Sequence, residues 1–144
     1  MKYLLDTNII SELISKKPNP NVIKFLTLIE EENVFLSVIT IGEIKTGIEK
    51  LDDTNKRKNI LLNWLNKELI PRFNNKIINI DLEIMQEWGK LYAKLKKEGK
   101  PIPLMDSLIA STAISKNLIL VTRNEKDFYN LNISIINPFN KEIK

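Results

Sequence analysis

At 144 residues the chain is long enough to bury a core without disulfides, and it contains no cysteine and no histidine. Those absences exclude Ser-His-Asp and Cys-His nucleophilic systems, thiol redox chemistry and zinc-ribbon sites. Lys and Arg number 22 against 18 Asp and Glu, a net charge of +4 carried mainly by dispersed lysines; this helps a protein approach a phosphate polymer but assigns no nucleic-acid role by itself.

Residues 2–5 read as a short buried strand, after which Ile9, Ile10, Leu13 and Ile14 follow helical spacing until Lys16-Lys17-Pro18 stops them. Met1-Lys2 leads straight into that apolar run and Asp6 closes it, far too soon for a signal segment or a membrane span, so a cytoplasmic protein is expected. Asn19-Pro20-Asn21 restarts a helix with Val22, Phe25, Leu26 and Ile29 on one face, ending in the charge run Glu30-Glu31-Glu32. Residues 34–39 form a β-branched run suited to a buried strand, and Thr40-Ile41-Gly42-Glu43 then opens a helix carrying Ile44, Ile48 and Leu51. A further helix presents Ile60, Leu61, Trp64 and Leu65 and ends near Pro71.

Residues 77–80 are a third strand, and 81–97 a long amphipathic helix with Ile84, Trp88, Leu91, Tyr92 and Leu95, stopped by Gly99. Pro101-Ile102-Pro103 enforces an extended entry to a helix over 104–116. Strands follow at 118–122 and 133–136. Five strands alternating with helices predict one α/β domain over residues 1–144, an open, mostly parallel five-stranded sheet covered on both faces. In such sheets the ligand crevice lies beyond the strands' C-terminal ends.

Four acids fall at that rim: Asp6, Glu43, Asp106 and Asp127. Each has a structural explanation. Asp6 suits a helix N-cap, Thr40 to Glu43 matches a capping box, Asp106 stands in a first helical turn where the dipole favours an acid, and Asp127 fits a turn or helix start after Asn124. Jointly they say more. Asp6 follows two leucines and Asp106 follows Leu104-Met105, so both stand beside core-facing segments where an unpaired charge is expensive. Arg123, a lysine or a divalent cation can compensate them; only three Arg exist and Arg123 alone falls near the rim, so a hard divalent cation such as Mg²⁺ or Mn²⁺ is the more economical answer. Thr7, Asn8, Ser107, Thr122 and Asn124 are expected to orient these carboxylates or hold bound waters, a role that competes with ordinary capping.

The stretches from Leu4 to Leu13, from Ser37 to Gly47, from Asp106 to Ala110 and from Leu120 to Asn124, with Ile136-Asn137-Pro138-Phe139 near the end, resemble the PIN-domain family and within it the VapC-type toxins of the FitB-like subgroup. The resemblance implies a PIN-like fold and a Mg²⁺- or Mn²⁺-dependent ribonuclease, the toxin of a type II toxin–antitoxin pair. It places Asp6, Glu43 and Asp106 on the three most regular acidic positions, which implies Asp6 and Asp106 as principal ligands of one ion, Glu43 binding it through water or helping to activate the attacking water, and Asn124 or Asp127 completing the outer shell. At the fourth, this chain has Asn124 in Thr122-Arg123-Asn124 where FitB-like members carry an acid, and Asp127 is the substitute carboxylate. Implied partners are the RNA substrate, an antitoxin protein and a second copy in a homodimer, with no membrane and with DNA met only through the antitoxin. The helices carrying Ile44, Ile48, Leu51, Leu61, Leu62 and Leu65 offer apolar surface either to the antitoxin or to the domain's own sheet.

Two other readings compete. The Asn at 124 keeps open a catalytically weak or inactive protein-binding module. A receiver-like or aspartyl-phosphatase domain is disfavoured because Asp6-Thr7-Asn8 lacks the second acid such sites need.

Overall fold

The first apolar run becomes the centre of the sheet. Strand β1 (Tyr3–Leu5) pairs in parallel with β2 (Val34–Ser37) on one side and with β4 (Ile119–Val121) on the other. Strands β3 (Ile77–Ile78) and β5 (Ile135–Ile136) extend the two edges, giving a fully parallel five-stranded sheet in the order β3-β2-β1-β4-β5. The structure, a computed structural model, describes residues 1–140; the domain expected over 1–144 is thus described to Asn140, and its last four residues lie outside.

Successive side chains of β1 point to opposite faces and seed two cores. Tyr3 and Leu5 join Leu36 and Val121 on one face. This face is covered by α1 (Thr7–Leu13), α2 (Pro20–Leu28), α3 (Val38–Glu49) and α4 (Lys56–Trp64), which contribute Ile9, Ile10, Val22, Phe25, Ile44 and Ile48. Leu4 and Leu120 point the other way, against Leu91 and Leu95 of α6 (Leu82–Lys97) and Ile109, Ala110 and Ala113 of α7 (Leu104–Lys116). Full burial of a Leu such as Leu4, Leu36 or Leu120 contributes about 1.5–3 kcal/mol. Between α4 and α6, a short α5 (Ile70–Arg72) is reached through one widened helical turn, Leu65–Leu69. A last short helix, α8 (Glu125–Phe128), buries Phe128 in the second core.

Several boundaries differ from the sequence reading. The strand expected over 34–39 ends at Ser37, whose hydroxyl accepts from the Ile39 N–H at 3.0 Å and caps α3. Thr40 therefore lies inside the helix, and the Thr40–Glu43 capping box does not form. The helix expected to end near Pro71 does so, its last residue being Arg72, and the widened turn just before Pro71 accommodates a residue that lacks an N–H and crowds the preceding carbonyl. Strands 77–80, 118–122 and 133–136 contract to their paired residues. Ile44, Ile48 and Leu65 are buried in the first core, so the domain's own sheet takes them and they are not a docking face. Gly99, at φ +65, ends α6 as expected.

Candidate active site

The parallel arrangement carries the ends of β1 and β4 to one rim. Asp6 follows β1 directly and is buried, and its backbone N–H donates to the Val121 carbonyl at 2.9 Å. It also caps α1: Oδ1 accepts from the Thr7 N–H at 2.8 Å. Oδ2 accepts from the buried Thr122 hydroxyl at 2.8 Å and from Asn8 Nδ2 at 3.2 Å. The cap and the cluster role coexist, since the cap engages only one oxygen. Burial pushes the Asp6 carboxyl above its ordinary value; these hydrogen bonds pull it back in part, and the nearby Glu43 charge adds to the rise.

Glu43 comes from the second turn of α3, where the early start of that helix turns it toward α1. Its Oε1 accepts from the Thr7 hydroxyl at 2.6 Å, and Thr40 Oγ1 stands 3.1 Å from the same Thr7 oxygen. A hydroxyl has one proton. The short contact takes it, which leaves buried Thr40 to donate to Thr7.

Asp106 enters from the first turn of α7. Burial, then a contact with the Asp127 carboxyl, then the charges of Asp6, Asp127 and Glu43 push it up to about 7. Asp127, on α8, thus stands beside Asp106, while Asn124 lies exposed at the rim of the cleft. Asn124 is itself held by its N–H, which donates to Thr122 Oγ1 at 3.0 Å. The open cleft of about 430 Å³ is lined by Asp6, Thr7, Asn8, Ser11, Glu12, Glu43, Asp106, Arg123 and Asn124.

Ser107 stands apart from the other residues expected to support the acids. It is buried, accepts from Trp88 Nε1 at 2.9 Å and donates to the Leu104 carbonyl, so it ties the first turn of α7 to α6 and does not face the cleft. Ser11, Glu12 and Thr40 are additions. Ser11 and Glu12 follow Asn8 by three and four residues, the spacing that places them on one face of α1. Thr40 gave no such signal.

The acids lack a cationic partner: among the described residues the ion pairs lie elsewhere, as in Lys116–Asp81 and Arg72–Glu31. Arg123 lines the cleft, but its guanidinium sits 4.8 Å from the Phe139 ring centroid. Oxygen donors of this kind fit a hard divalent ion. No three acidic side chains among the described residues stand within common ligating distance, so an ion here would draw on one or two carboxylates at most.

The family model described as PIN domain matches residues 3–133. Toxin FitB of Neisseria gonorrhoeae is 33% identical over 136 residues, 94% of this chain and 97% of that protein. VapC ribonuclease Y4jK of Sinorhizobium fredii is 32% identical over 94% of this chain and 96% of its own length. The crystal structure of FitAcB from Neisseria gonorrhoeae superposes with a TM-score of 0.89 at 33% identity, covering 95% of this chain and 98% of that one.

Proposed function

The chain belongs to the PIN-domain family, and from that premise we propose that it is a metal-dependent endoribonuclease, the toxin of a type II toxin–antitoxin pair. The observation that carries the reading is the meeting of Asp6, Glu43 and Asp106, with Asp127 behind, on one rim where, among the described residues, none of them forms an ion pair.

Asp6 and Asp106 would hold the ion directly and Glu43 through water, with Asp127 supporting Asp106. A Mg²⁺ or Mn²⁺ ion held there would supply positive charge to the phosphate oxygens and lower the pKa of water beside it. Thr7 occupies Glu43 Oε1, so Oε2 is the oxygen available to accept the proton of the attacking water. The water oxygen bonds to phosphorus in line as the bond to the leaving ribose oxygen breaks, and that oxygen takes its proton from solvent.

The partner is a protein antitoxin. An apolar groove of about 670 Å³ between α1, α2 and α5, with Leu13, Leu26, Trp64 and Phe73 in its walls, is the surface that would seat an antitoxin segment. A homodimer and a cytoplasmic setting complete the proposal. No helix among the described residues is long and apolar enough to cross a membrane.

Purified protein should cut single-stranded RNA with Mg²⁺ or Mn²⁺, stop in EDTA, and lose cleavage in Asp6→Asn with the fold retained. Undiminished cleavage by that variant rejects the assignment. The inactive-module reading draws on Asn124, and calorimetry separates the two: an inactive module shows no divalent-ion binding that depends on Asp6 and Asp106.

A further inference from the structure

We infer that Arg123, stacked on Phe139, is a binding site for a backbone phosphate of the RNA at the mouth of the acidic cleft; the inference rests on the nuclease reading above.

Among the described residues Arg123 is the one cationic side chain lining the cleft. Its guanidinium lies over Phe139, 4.8 Å from the ring centroid, and forms no ion pair with the carboxylates that line the same cleft among the described residues. The carboxylate nearest in sequence, Glu125, spends its Oε1 on Asn137 Nδ2 at 2.6 Å and Asn140 Nδ2 at 3.1 Å. Both halves of the stack are fixed from the backbone. The Arg123 N–H donates to Asn8 Oδ1 at 3.1 Å. Asn137 brackets the pair, its Nδ2 donating to the Arg123 carbonyl at 3.4 Å and its Oδ1 accepting from the Phe139 N–H at 3.0 Å.

An aromatic face engages a guanidinium through its plane and leaves the N–H edges pointing outward, the geometry that grips a phosphate with two parallel hydrogen bonds. The need for such a grip follows from the cleft itself. Charges interact over roughly 8 Å at physiological ionic strength, so an RNA strand entering this mouth meets several carboxylates at once. A fixed cation at the edge offsets that repulsion. Asn8 also donates to Asp6 Oδ2, so the same side chain sets the spacing between the anchored phosphate and the acids.

The test is steady-state cleavage of a single-stranded RNA by the full chain with Mg²⁺ or Mn²⁺, over a potassium chloride series. Arg123→Gln should raise KM about tenfold, the strength of a charge-assisted contact, with a smaller change in kcat. The slope of log(kcat/KM) against log salt should become shallower by about 0.7, one phosphate contact on a single strand. Arg123→Lys should restore the slope but only part of KM, because the charge returns without the fork. Phe139→Leu should raise KM with the slope unchanged, the charge being retained. An active wild type whose Arg123→Gln variant keeps KM and slope overturns the inference and leaves the nuclease reading standing. A loss confined to kcat, or one seen only in antitoxin binding, overturns it equally. A wild type that cuts no RNA with either ion removes the nuclease reading and this inference with it.

Discussion

Replacing Asp106 with Asn should make the metal-free protein more stable at neutral pH while abolishing cleavage. In the folded state this carboxyl is pushed from 3.8 up to about 7 by burial, by Asp127 and by the surrounding acids. Between about pH 4 and pH 7 the folded chain therefore holds a proton that the unfolded chain releases, and stability falls as pH rises through that window. At full strength a displacement of about 3 pH units corresponds to roughly 4 kcal/mol. Asp106 is half-exposed, so solvent screening reduces this to about 1–2 kcal/mol. For a domain of this size each kcal/mol moves the melting temperature by about 2–4 °C. Thermal melts in EDTA should show wild type losing stability from about pH 4 to pH 7, and Asp106→Asn melting about 2–8 °C higher at neutral pH, with the difference closing near pH 4. Excess Mg²⁺ should narrow or invert the ranking, since an ion that binds the folded wild type adds stability that the variant receives weakly or not at all. A variant that melts at or below wild type in EDTA at neutral pH refutes the reasoning.

Thr122→Val removes the buried hydroxyl on Asp6 Oδ2 and should lower metal affinity or activity about 10–100-fold, the usual effect of losing a group that orients a ligand; calorimetry should show Thr122→Ser recovering most of it. Thr7→Val strips Glu43 of its 2.6 Å partner, so cleavage should fall about tenfold or more, with Thr7→Ser as the rescue. If Thr7→Val keeps full kcat, Glu43 is not held through Thr7. Trp88→Phe leaves Ser107 without its 2.9 Å indole donor and should destabilise the protein by about 1 kcal/mol in urea unfolding, with no loss of metal binding, since Ser107 faces away from the cleft.

Asp6 was legible because local sequence made it conspicuous. An acid directly after the buried Leu4-Leu5 contradicts its surroundings, and a parallel sheet brings strand ends to one edge; Leu104 and Met105, expected to face the core, are exposed instead, so Asp106 owes its place in the cluster to the first turn of α7 and not to an apolar neighbourhood in sequence. Glu43 was legible only with a different local role. Val34 to Ile41 is apolar save for Ser37 and Thr40, and so short a run does not separate a period of 2 from one of 3.6. The strand stopped at Ser37, the helix began two residues before Thr40, and Glu43 became free to accept from Thr7. The Thr40–Thr7 contact joins residues 33 apart, and the Arg123–Phe139 stack depends on where the chain goes after β5. Neither is written in spacing or periodicity. Both belong to the tertiary structure alone.

The amide at 124 acquires a physical rationale from the same geometry. The carboxylate expected in that region is present three residues on, at Asp127, where α8 sets it against Asp106 away from the cleft lining. Asn124 is exposed at the rim, directly after Arg123. An acid there would offer the guanidinium a competing carboxylate where its present neighbour is the Phe139 ring, 4.8 Å away at the centroid. With Asn124 neutral and Asp127 beside Asp106, negative charge concentrates behind the mouth, while Arg123, the one cation of the cleft among the described residues, would keep its donors for an incoming anion. An acid at 127 and not at 124 changes where the charge sits more than how much of it there is.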